Sequence, residues 1–417
     1  MKWERVRLGD VTDSCLGKML DKAKNKGEYQ PYLANVDVRW GSFNLDNLSK
    51  MRFEDNEQER YGLKYGDLVI CEGGEPGRCA IWKDQIPNMK IQKALHRVRV
   101  HDCLDYRFLY YWFLLAGKTG ALEQYFTGAT IKHMPGEKLK SVLIDMPPIE
   151  VQRHIANILW VYDNLIENNQ KQIKLLEEAA QRLYKEWFVD LRFPGHETTP
   201  IVDGVPEGWR SLYLEEIVGY EIGGGWGEET PTEKCDFPAY VIRGTDLSEI
   251  THGSALTIPF RYHSKHNLDA RTLTDGDIVF EVSGGSKTEG VARTALIRSA
   301  MLELWQYPVM CASFCKLIRA KNTKHSQVLF DAFRYMRASG KTSEYDKKSA
   351  SSIVNYRWKD FLSNESILMP TDELLEIYNS IVGNMYQMIV QKSITIEKAK
   401  EARDRLLPKL MSGEIEV

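Results

Sequence analysis

Polar and basic side chains in short, glycine-containing segments are the residues of this chain best suited to contact a ligand. Arginine and lysine pair with phosphates and guanine edges, glutamine pairs with adenine, and the backbone N–H groups of glycine-rich loops suit phosphates. Taken singly, each such residue is more simply interpreted as a solvated surface charge, but their grouping predicts contacts with a nucleic acid. The candidates are Lys18, Lys22, Arg78, Lys90, Gln92, Lys93, Lys132 and His133 in the first half, and Lys287, Lys341, Tyr345, Lys347 and Lys348 in the second.

Three segments resemble parts of catalytic or cofactor-binding motifs, and each lacks part of the pattern that the motif requires. Residues 145–149 (Asp-Met-Pro-Pro-Ile) approach the Asp-Pro-Pro-Tyr loop of DNA amino-methyltransferases, but have an inserted methionine and no aromatic residue to stack on a flipped base. The glycine-rich residues 223–227 are not followed by a helix signal, and residues 283–288 resemble a phosphate-binding loop without its glycines. We therefore expect no catalytic residue, no metal site and no cofactor in this chain.

The composition suits a globular protein that, if it binds DNA, either uses local basic patches or shares the phosphate load with partner subunits. Hydrophobic residues make up 43% of the 417 residues and the formal net charge is −3, so the chain is not polybasic as a whole. Residues 319–348 nevertheless hold eight basic and three acidic residues, which makes a local positive patch. Because no apolar run is long enough for a membrane span and the seven cysteines form no CxxC pair, we expect a cytoplasmic protein with reduced thiols.

The chain repeats itself. The segment that begins at Trp3 returns at Trp209, an offset of 206 residues, and the Gly-Asp turn at Gly66 returns at Gly276, an offset of 210. By the end of each half the offset has reached 223 and stays there. A growing and then constant offset predicts two copies of a domain that accepts loop insertions, each followed by a helix whose length cannot drift.

A helical seam follows each domain. Apolar positions step by alternating four and three residues after the prolines at 147–148, and again 223 residues later, which is the heptad pattern of a coiled coil. Two polar residues, Asn169 and Lys392, occupy equivalent positions; each either fixes the helix register or reaches solvent. The seam includes Ile155, Leu159, Tyr162, Ile166, Asn169, Ile173, Leu176, Leu183 and Trp187 in the first helix, and Met385, Ile389, Lys392, Ile396, Leu406 and Leu410 in the second.

These patterns predict an α+β fold in which two globular domains are separated by two long, antiparallel, coiled-coil-like helices in a pseudo-two-fold internal repeat. Short apolar runs at 67–70 and 277–280 and the alternating pattern at 97–100 predict strands, and residues 106–116 and 326–337 predict helices. The predicted boundaries are 1–149 for the first domain, 150–194 for the first spacer helix, 195–369 for the second domain and 370–417 for the second spacer helix.

The chain resembles the specificity subunit of type I restriction–modification systems. The likeness rests on residues 3–10 (Trp-Glu-Arg-Val-Arg-Leu-Gly-Asp), 66–69, 146–152, 185–194, 206–209 and 406–415, and on the order, spacing and duplication of these motifs. The sequence departs from the family pattern at residues 371–374, where Thr-Asp-Glu-Leu replaces the usual Pro-x-x-x-Gln run. Base-contacting residues vary too much within the family to be carried over.

The resemblance implies two target-recognition domains, each reading half of a split site in double-stranded DNA. It also implies that the two helices dock two methyltransferase subunits, which hold S-adenosylmethionine and methylate adenine, and through them motor–nuclease subunits that use ATP and Mg. The chain itself would be non-catalytic. The alternatives are a stand-alone DNA methyltransferase or nuclease, for which the catalytic motifs are missing, and a coiled-coil scaffold, for which two large duplicated domains would be superfluous.

The length of the seam generates a prediction about the DNA between the half-sites. From Ile155 to Trp187 the seam covers 33 residues, or roughly 50 Å at about 1.5 Å per residue. One additional base pair moves a half-site by about 3.4 Å and turns it by roughly 35°, and a heptad-locked helix pair cannot follow both changes. We expect binding and methylation to fail when the spacer between the half-sites is lengthened or shortened by one base pair. Near-equal activity on all three matched duplexes would show a flexible tether instead.

Overall fold

The computed structural model describes residues 3–21, 25–251, 258–284, 290–348 and 353–417, without the side chains of Thr251 and Lys348. The chain divides into two compact units. Unit 1 is Met1–Leu165 with Ala399–Val417, and unit 2 is Ile166–Lys398. Each unit combines helices with antiparallel and mixed sheets and contains one end of each long helix, so the expected α+β class is confirmed.

Unit 1 is built on a four-stranded antiparallel sheet beside a smaller three-stranded one. The larger sheet has the order Thr12–Leu16, Leu95–Val100, Leu68–Cys71 and Cys79–Ile81, and the smaller has the order Lys50–Phe53, Glu28–Leu33 and Lys90–Ile91. Glu4–Arg7 pairs with Leu143–Met146, and Val38–Arg39 pairs with Ser42–Phe43. The helices are Gln58–Tyr61, Tyr106–Thr119 and Gly136–Lys140, with 3-10 turns at Leu8–Asp10, Asn35–Asp37, Asp55–Glu57 and Glu123–Tyr125.

Unit 2 repeats the four-stranded sheet and the three-stranded sheet, and adds a second three-stranded sheet. Its four-stranded sheet has the order Val218–Gly223, Cys315–Ala320, Ile278–Glu281 and Thr294–Leu296. The three-stranded sheets are Phe260–His263, Phe237–Ile242 and Val309–Cys311, and Ser283–Gly284, Val354–Tyr356 and Asp346–Lys348. Arg210–Tyr213 pairs with Ser366–Met369, and Ile201–Val202 pairs with Val205–Pro206. The helices are Leu214–Ile217, Leu247–Thr251, Lys265–Arg271, Ser299–Leu302, Ser326–Ala338 and Trp358–Asn364, with 3-10 turns at Gly244–Asp246, Thr323–His325 and Lys341–Tyr345.

The register of one buried strand pair is the same in both units. In unit 1 the pair is Leu68–Cys71 with Leu95–Val100, and the carboxylate of Asp67, just before it, accepts two hydrogen bonds of 2.7 Å from the Arg99 guanidinium. In unit 2, Arg319 grips Asp277 through bonds of 2.7 and 2.8 Å. Both carboxylates are buried, so each needs this two-pronged partner to offset the loss of water. A slip of one residue would separate the aspartate from the arginine and turn the apolar side chains outward. This bidentate aspartate–arginine pair, which we call the fork, therefore fixes the register.

The first long helix spans Ile149–Tyr184 and continues as a π-helical turn at Lys185–Val189, and the second spans Asp372–Met411. Residues 190–194 of the predicted first spacer lie beyond the helix, because Leu191 adopts a left-handed φ of 57° and Pro194 cannot continue a helix. Residues 412–417 likewise follow the second helix, where Gly413 has a φ of 74°.

The two long helices run antiparallel within each unit. In unit 1, Ile155 lines a cavity with Gly413, and about two turns further along the first helix Asp163 accepts a 2.6 Å hydrogen bond from Arg403. In unit 2, Gln172 accepts a hydrogen bond from Lys392, whereas Trp187 packs on Tyr378 with ring centroids 5.7 Å apart. As the residue numbers rise along the first helix, those of the contacting residues in the second helix fall, so the two helices are antiparallel.

The seam residues that the sequence predicts are all buried or half-buried. Buried are Ile155, Leu159, Ile166, Asn169, Ile173, Trp187, Ile389, Ile396 and Leu410, and half-buried are Tyr162, Leu176, Leu183, Met385, Lys392 and Leu406. The Lys392 ammonium donates a hydrogen bond to Gln172 of the other long helix.

Polar contacts tie the globular part of unit 1 to its helix ends. The Tyr111 hydroxyl, on helix Tyr106–Thr119, donates a 2.6 Å hydrogen bond to Asp163, the same carboxylate that Arg403 grips. Lys118 forms an ion pair of 2.5 Å with Asp404. One domain helix is thus bonded to both long helices.

Unit 2 carries the corresponding contact with different chemistry. The offset of 220 that relates Leu95 to Cys315 also relates the left-handed glycines at the ends of the two domain helices, Gly120 and Gly340, and so relates Tyr111 to Asp331. The offset of 223 relates Asp163 to Tyr386, and the Tyr386 hydroxyl donates a 3.1 Å hydrogen bond to Asp331. The position of the contact is therefore repeated, with the tyrosine and the aspartate exchanged between the two helices.

All seven cysteines are thiols, four of them buried. Across the part of the chain that the structure describes, none of the helices combines the length and apolar character needed to cross a bilayer.

Asp331 generates a prediction about pH. Its fully buried carboxylate accepts hydrogen bonds from Gln327, Tyr378 and Tyr386, and burial raises its pKa to about 6. A carboxyl whose folded pKa lies above its unfolded value, about 3.9, contributes stability below that value and loses it as the pH rises through about 6. Relative to Asp331→Asn, the wild-type chain should gain on the order of 3 kcal/mol in unfolding free energy when the pH falls from 7.5 to 4.

Urea unfolding at several pH values measures this difference. Asp269→Asn, which alters an exposed carboxylate of the same unit, is the matched control and should track the wild type. Parallel pH profiles for Asp331→Asn and the wild type would contradict the assignment.

Candidate nucleic-acid interface

Backbone hydrogen bonds gather four segments of unit 1 into one surface, which we call loop cluster 1: residues 17–20, 72–78, 92–94 and 127–134. The Lys93 N–H donates to the carbonyl of Lys18 at 2.8 Å, and the Glu72 N–H donates to the carbonyl of Ala94 at 2.9 Å. The Met134 N–H then donates to the carbonyl of Glu72 at 2.7 Å. Segments that the sequence singled out separately therefore lie edge to edge.

Unit 2 repeats this arrangement in loop cluster 2: residues 224–227, 282–284, 312–314 and 353–356. The Val282 N–H donates to the carbonyl of Phe314 and the Tyr356 N–H donates to the carbonyl of Val282, both at 2.9 Å. Offsets of 210, 220 and 222 relate these residues to Glu72, Ala94 and Met134, so two hydrogen bonds recur between equivalent positions. The β-bridge between Gly73 and His133 recurs in the same way, as the pairing of Ser283 with Asn355.

The strand register explains why these segments meet. Glu72 directly follows strand Leu68–Cys71 and Ala94 directly precedes strand Leu95–Val100, so both lie at the end of the buried pair that is opposite the Asp67–Arg99 fork. A fixed register at one end of the pair therefore determines which loop residues bond at the other.

Arg78 holds the glycine-containing loop of cluster 1 in shape. Its guanidinium donates to the backbone and side-chain oxygens of Asn35 at 3.1 and 3.0 Å and to Glu75 at 3.0 Å. The Asn35 amide in turn donates a 2.6 Å hydrogen bond to the carbonyl of Gly73. Most of the hydrogen-bonding capacity of Arg78 is thus used within the loop, which favours a positioning role over a direct contact.

Three other candidate residues are buried in the protein. The Lys18 ammonium pairs with Glu57 at 2.5 Å and donates to the carbonyl of Arg52 at 2.9 Å. Lys90 is also buried, and burial lowers its pKa. The Tyr345 hydroxyl donates to Glu365 beneath the surface. These side chains are not placed to reach a nucleic acid.

The remaining candidates lie nearer to solvent or outside the described residues. Lys341 is half-buried and pairs with Glu344 and Glu365 at 3.1 and 3.3 Å, whereas Lys132 has a looser contact with Glu123 at 3.4 Å. Lys93, Lys132, His133 and Lys347 are exposed and Gln92 is half-buried, whereas Lys22, Lys287 and the side chain of Lys348 lie outside what the structure describes.

A groove of about 550 Å³ lies beside loop cluster 1, between residues 73–78 and 127–132. Trp40, Phe126 and Lys132 are among the residues that line it, and the indole N–H of Trp40 donates a 2.6 Å hydrogen bond to Glu75. The groove has aromatic walls and a cation at its rim, a combination that suits nucleic-acid contacts.

Exposed apolar residues of the loop clusters were missed by the sequence reasoning, which sought polar groups. Met19, Trp226 and Phe314 are all exposed. The signal that could have identified two of them is a glycine two residues earlier in each half, Gly17 and Gly224, since aligned glycines point to a repeated close approach of the backbone.

The segments tested for catalysis occupy ordinary structural positions. Asp145 lies in strand Leu143–Met146 and forms an ion pair of 2.8 Å with Arg5, and the first long helix begins at Ile149. Residues 224–227 form a loop that leads to a β-bridge at Glu228 and not to a helix. In the described ranges, no three His, Cys, Asp or Glu side chains are grouped as a metal site requires.

Two mixed units with one duplicated loop cluster, joined by two long helices, define the chain as a two-domain recognition protein. Residues 1–178 match the model of the type I restriction modification DNA specificity domain. This match supports the resemblance to type I restriction–modification specificity subunits that the sequence indicated.

Relatives along most of the chain agree with this family. The MjaIX type I restriction enzyme specificity subunit of Methanocaldococcus jannaschii is 26% identical over 84% of this chain and 78% of its own length. The MjaVIII specificity subunit of the same organism is 27% identical over 100% of this chain and 93% of its own length. The crystal structure of a type I S subunit from M. genitalium shares the fold, with a TM-score of 0.57 and 16% identity over 98% of this chain and 96% of that one.

Proposed function

We propose that this chain reads a split site in double-stranded DNA, with loop cluster 1 contacting one half and loop cluster 2 the other. The observation that carries the proposal is the recurrence of the Glu72 and Met134 hydrogen bonds at Val282 and Tyr356. A scaffold that is repeated while its exposed side chains differ suits two half-sites of different sequence. Lys93, Lys132 and His133 are the proposed polar contacts in the first cluster, and Lys347 lies on the strand paired beside the second.

We also propose that the chain is non-catalytic and that its long helices dock two methyltransferase subunits, which supply S-adenosylmethionine chemistry and in turn engage motor–nuclease subunits that use ATP and Mg. The tested motifs support this, because Asp145 is bound by Arg5 and the glycine-rich loop leads to no helix. Leu165 and Met388 are exposed on the long helices at equivalent repeat positions. Apolar residues exposed in duplicate suit two copies of one partner.

The proposal predicts that Lys93→Ala weakens DNA binding in a salt-dependent way. The full chain, purified from its host with any bound subunits, is used to select duplexes from a random-sequence library, and binding to the selected duplex is titrated against salt. Each phosphate contact contributes about 0.9 to the slope of log affinity against log salt. We expect Lys93→Ala to reduce that slope by about one and the affinity at 0.1 M salt by about 3- to 10-fold.

Lys64→Ala is the matched control. Lys64 is an exposed lysine of the same unit, but it precedes strand Leu68–Cys71 and so lies at the end of that strand opposite residues 72–78. Its replacement should leave both the slope and the affinity unchanged. Failure to select a two-part motif, or equal losses in the two variants, would contradict the proposal.

A further inference from the structure

A glycine elbow is built identically at the edge of both loop clusters. The Gly17 N–H donates to the carbonyl of Leu95 and the Gly224 N–H donates to that of Cys315, both at 2.9 Å. The following residue bonds in the same way, Lys18 to the carbonyl of Ile91 at 3.0 Å and Gly225 to that of Cys311 at 2.9 Å. An offset of 220 relates both acceptor residues, so the two elbows are equivalent.

Only glycine fits at the first position of each elbow. A Cβ atom on Gly17 would lie 2.4 Å from the carbonyl oxygen of Gln92, and one on Gly224 would lie 2.2 Å from that of Ala312. Both distances are far below van der Waals contact with backbone atoms that the strand register fixes in place. The chain therefore leaves each elbow in a defined direction.

A large apolar side chain stands two residues after the glycine in each unit. Met19 is 53% exposed and Trp226 is 40% exposed. A single exposed apolar residue is common on protein surfaces, but here it recurs at an equivalent position of a rigid, duplicated turn. The Arg261 guanidinium lies 4.8 Å from the centre of the Trp226 ring, which places a cation beside the aromatic group.

We propose that Met19 and Trp226 are wedges, each of which inserts between adjacent base pairs of its own half-site. This inference rests on the proposed function and adds to it the contact by which the loops would unstack a base step. Proteins that deform DNA use apolar side chains of this kind, whose cost of unstacking is offset by the extra surface that a bent duplex can contact. The rigid elbow orders the wedge before binding, and Arg261, which pairs with Glu229 at 3.2 Å, lies against the Trp226 ring and supports its position.

The test places 2-aminopurine at each position of the two half-sites in a duplex selected by the full chain, because its fluorescence rises when it is unstacked. With the wild-type protein we expect a rise at one step in each half-site. Trp226→Ala should abolish the rise in one half-site and reduce affinity by about tenfold, and Trp226→Phe should restore much of both. Met19→Ala should abolish the rise in the other half-site and leave the first unchanged.

Tyr213→Ala removes an exposed aromatic residue of unit 2 that lies in strand Arg210–Tyr213, outside the loop cluster, and should change neither readout. Tight binding without a rise in 2-aminopurine fluorescence would overturn the insertion and leave the proposed function standing. A rise that survives in both Trp226→Ala and Met19→Ala would do the same. Failure of the wild type to select any duplex would overturn both.

Discussion

The fold depends on the register of one buried antiparallel strand pair in each unit. A carboxylate at one end of the pair, Asp67 or Asp277, is gripped by a guanidinium from the partner strand, and its burial makes any other arrangement costly. The opposite end of the pair supplies the backbone groups that gather the loops. Since a strand can slip only by whole residues, the loops either meet in this arrangement or do not meet at all.

This constraint separates what the two units share from what distinguishes them. The backbone hydrogen bonds of the loop clusters are the same, whereas the side chains that they present differ: Ala94 corresponds to Phe314, and His133 to Asn355. The helix contacts follow the same rule, because Tyr111 with Asp163 in unit 1 becomes Asp331 with Tyr386 in unit 2. A scaffold fixed by backbone bonding leaves side chains free to vary, as recognition of two different half-sites would require.

The sequence predicted the repeat, the strands at 67–70, 97–100 and 277–280, the domain helices and the long helices, because each depends on local periodicity or on glycine and proline at a boundary. The sequence could not show which lysines are exposed to solvent and which are buried in ion pairs. Lys18 is buried because it pairs with Glu57, a residue distant in sequence, and nothing local reveals that contact. Nor could it single out Trp226 as exposed, since an isolated tryptophan is more often part of a core.

The central claim is that each unit reads its own half-site through its own loop cluster. A domain exchange tests this claim most directly. Residues 209–368 are replaced with the corresponding segment of a relative, such as the MjaVIII specificity subunit of M. jannaschii, and the duplexes that the full chain selects are then mapped. The account predicts that one half of the motif changes and the other is retained, and that the reciprocal replacement of residues 3–146 has the opposite effect. A motif in which both halves change after either replacement would contradict it.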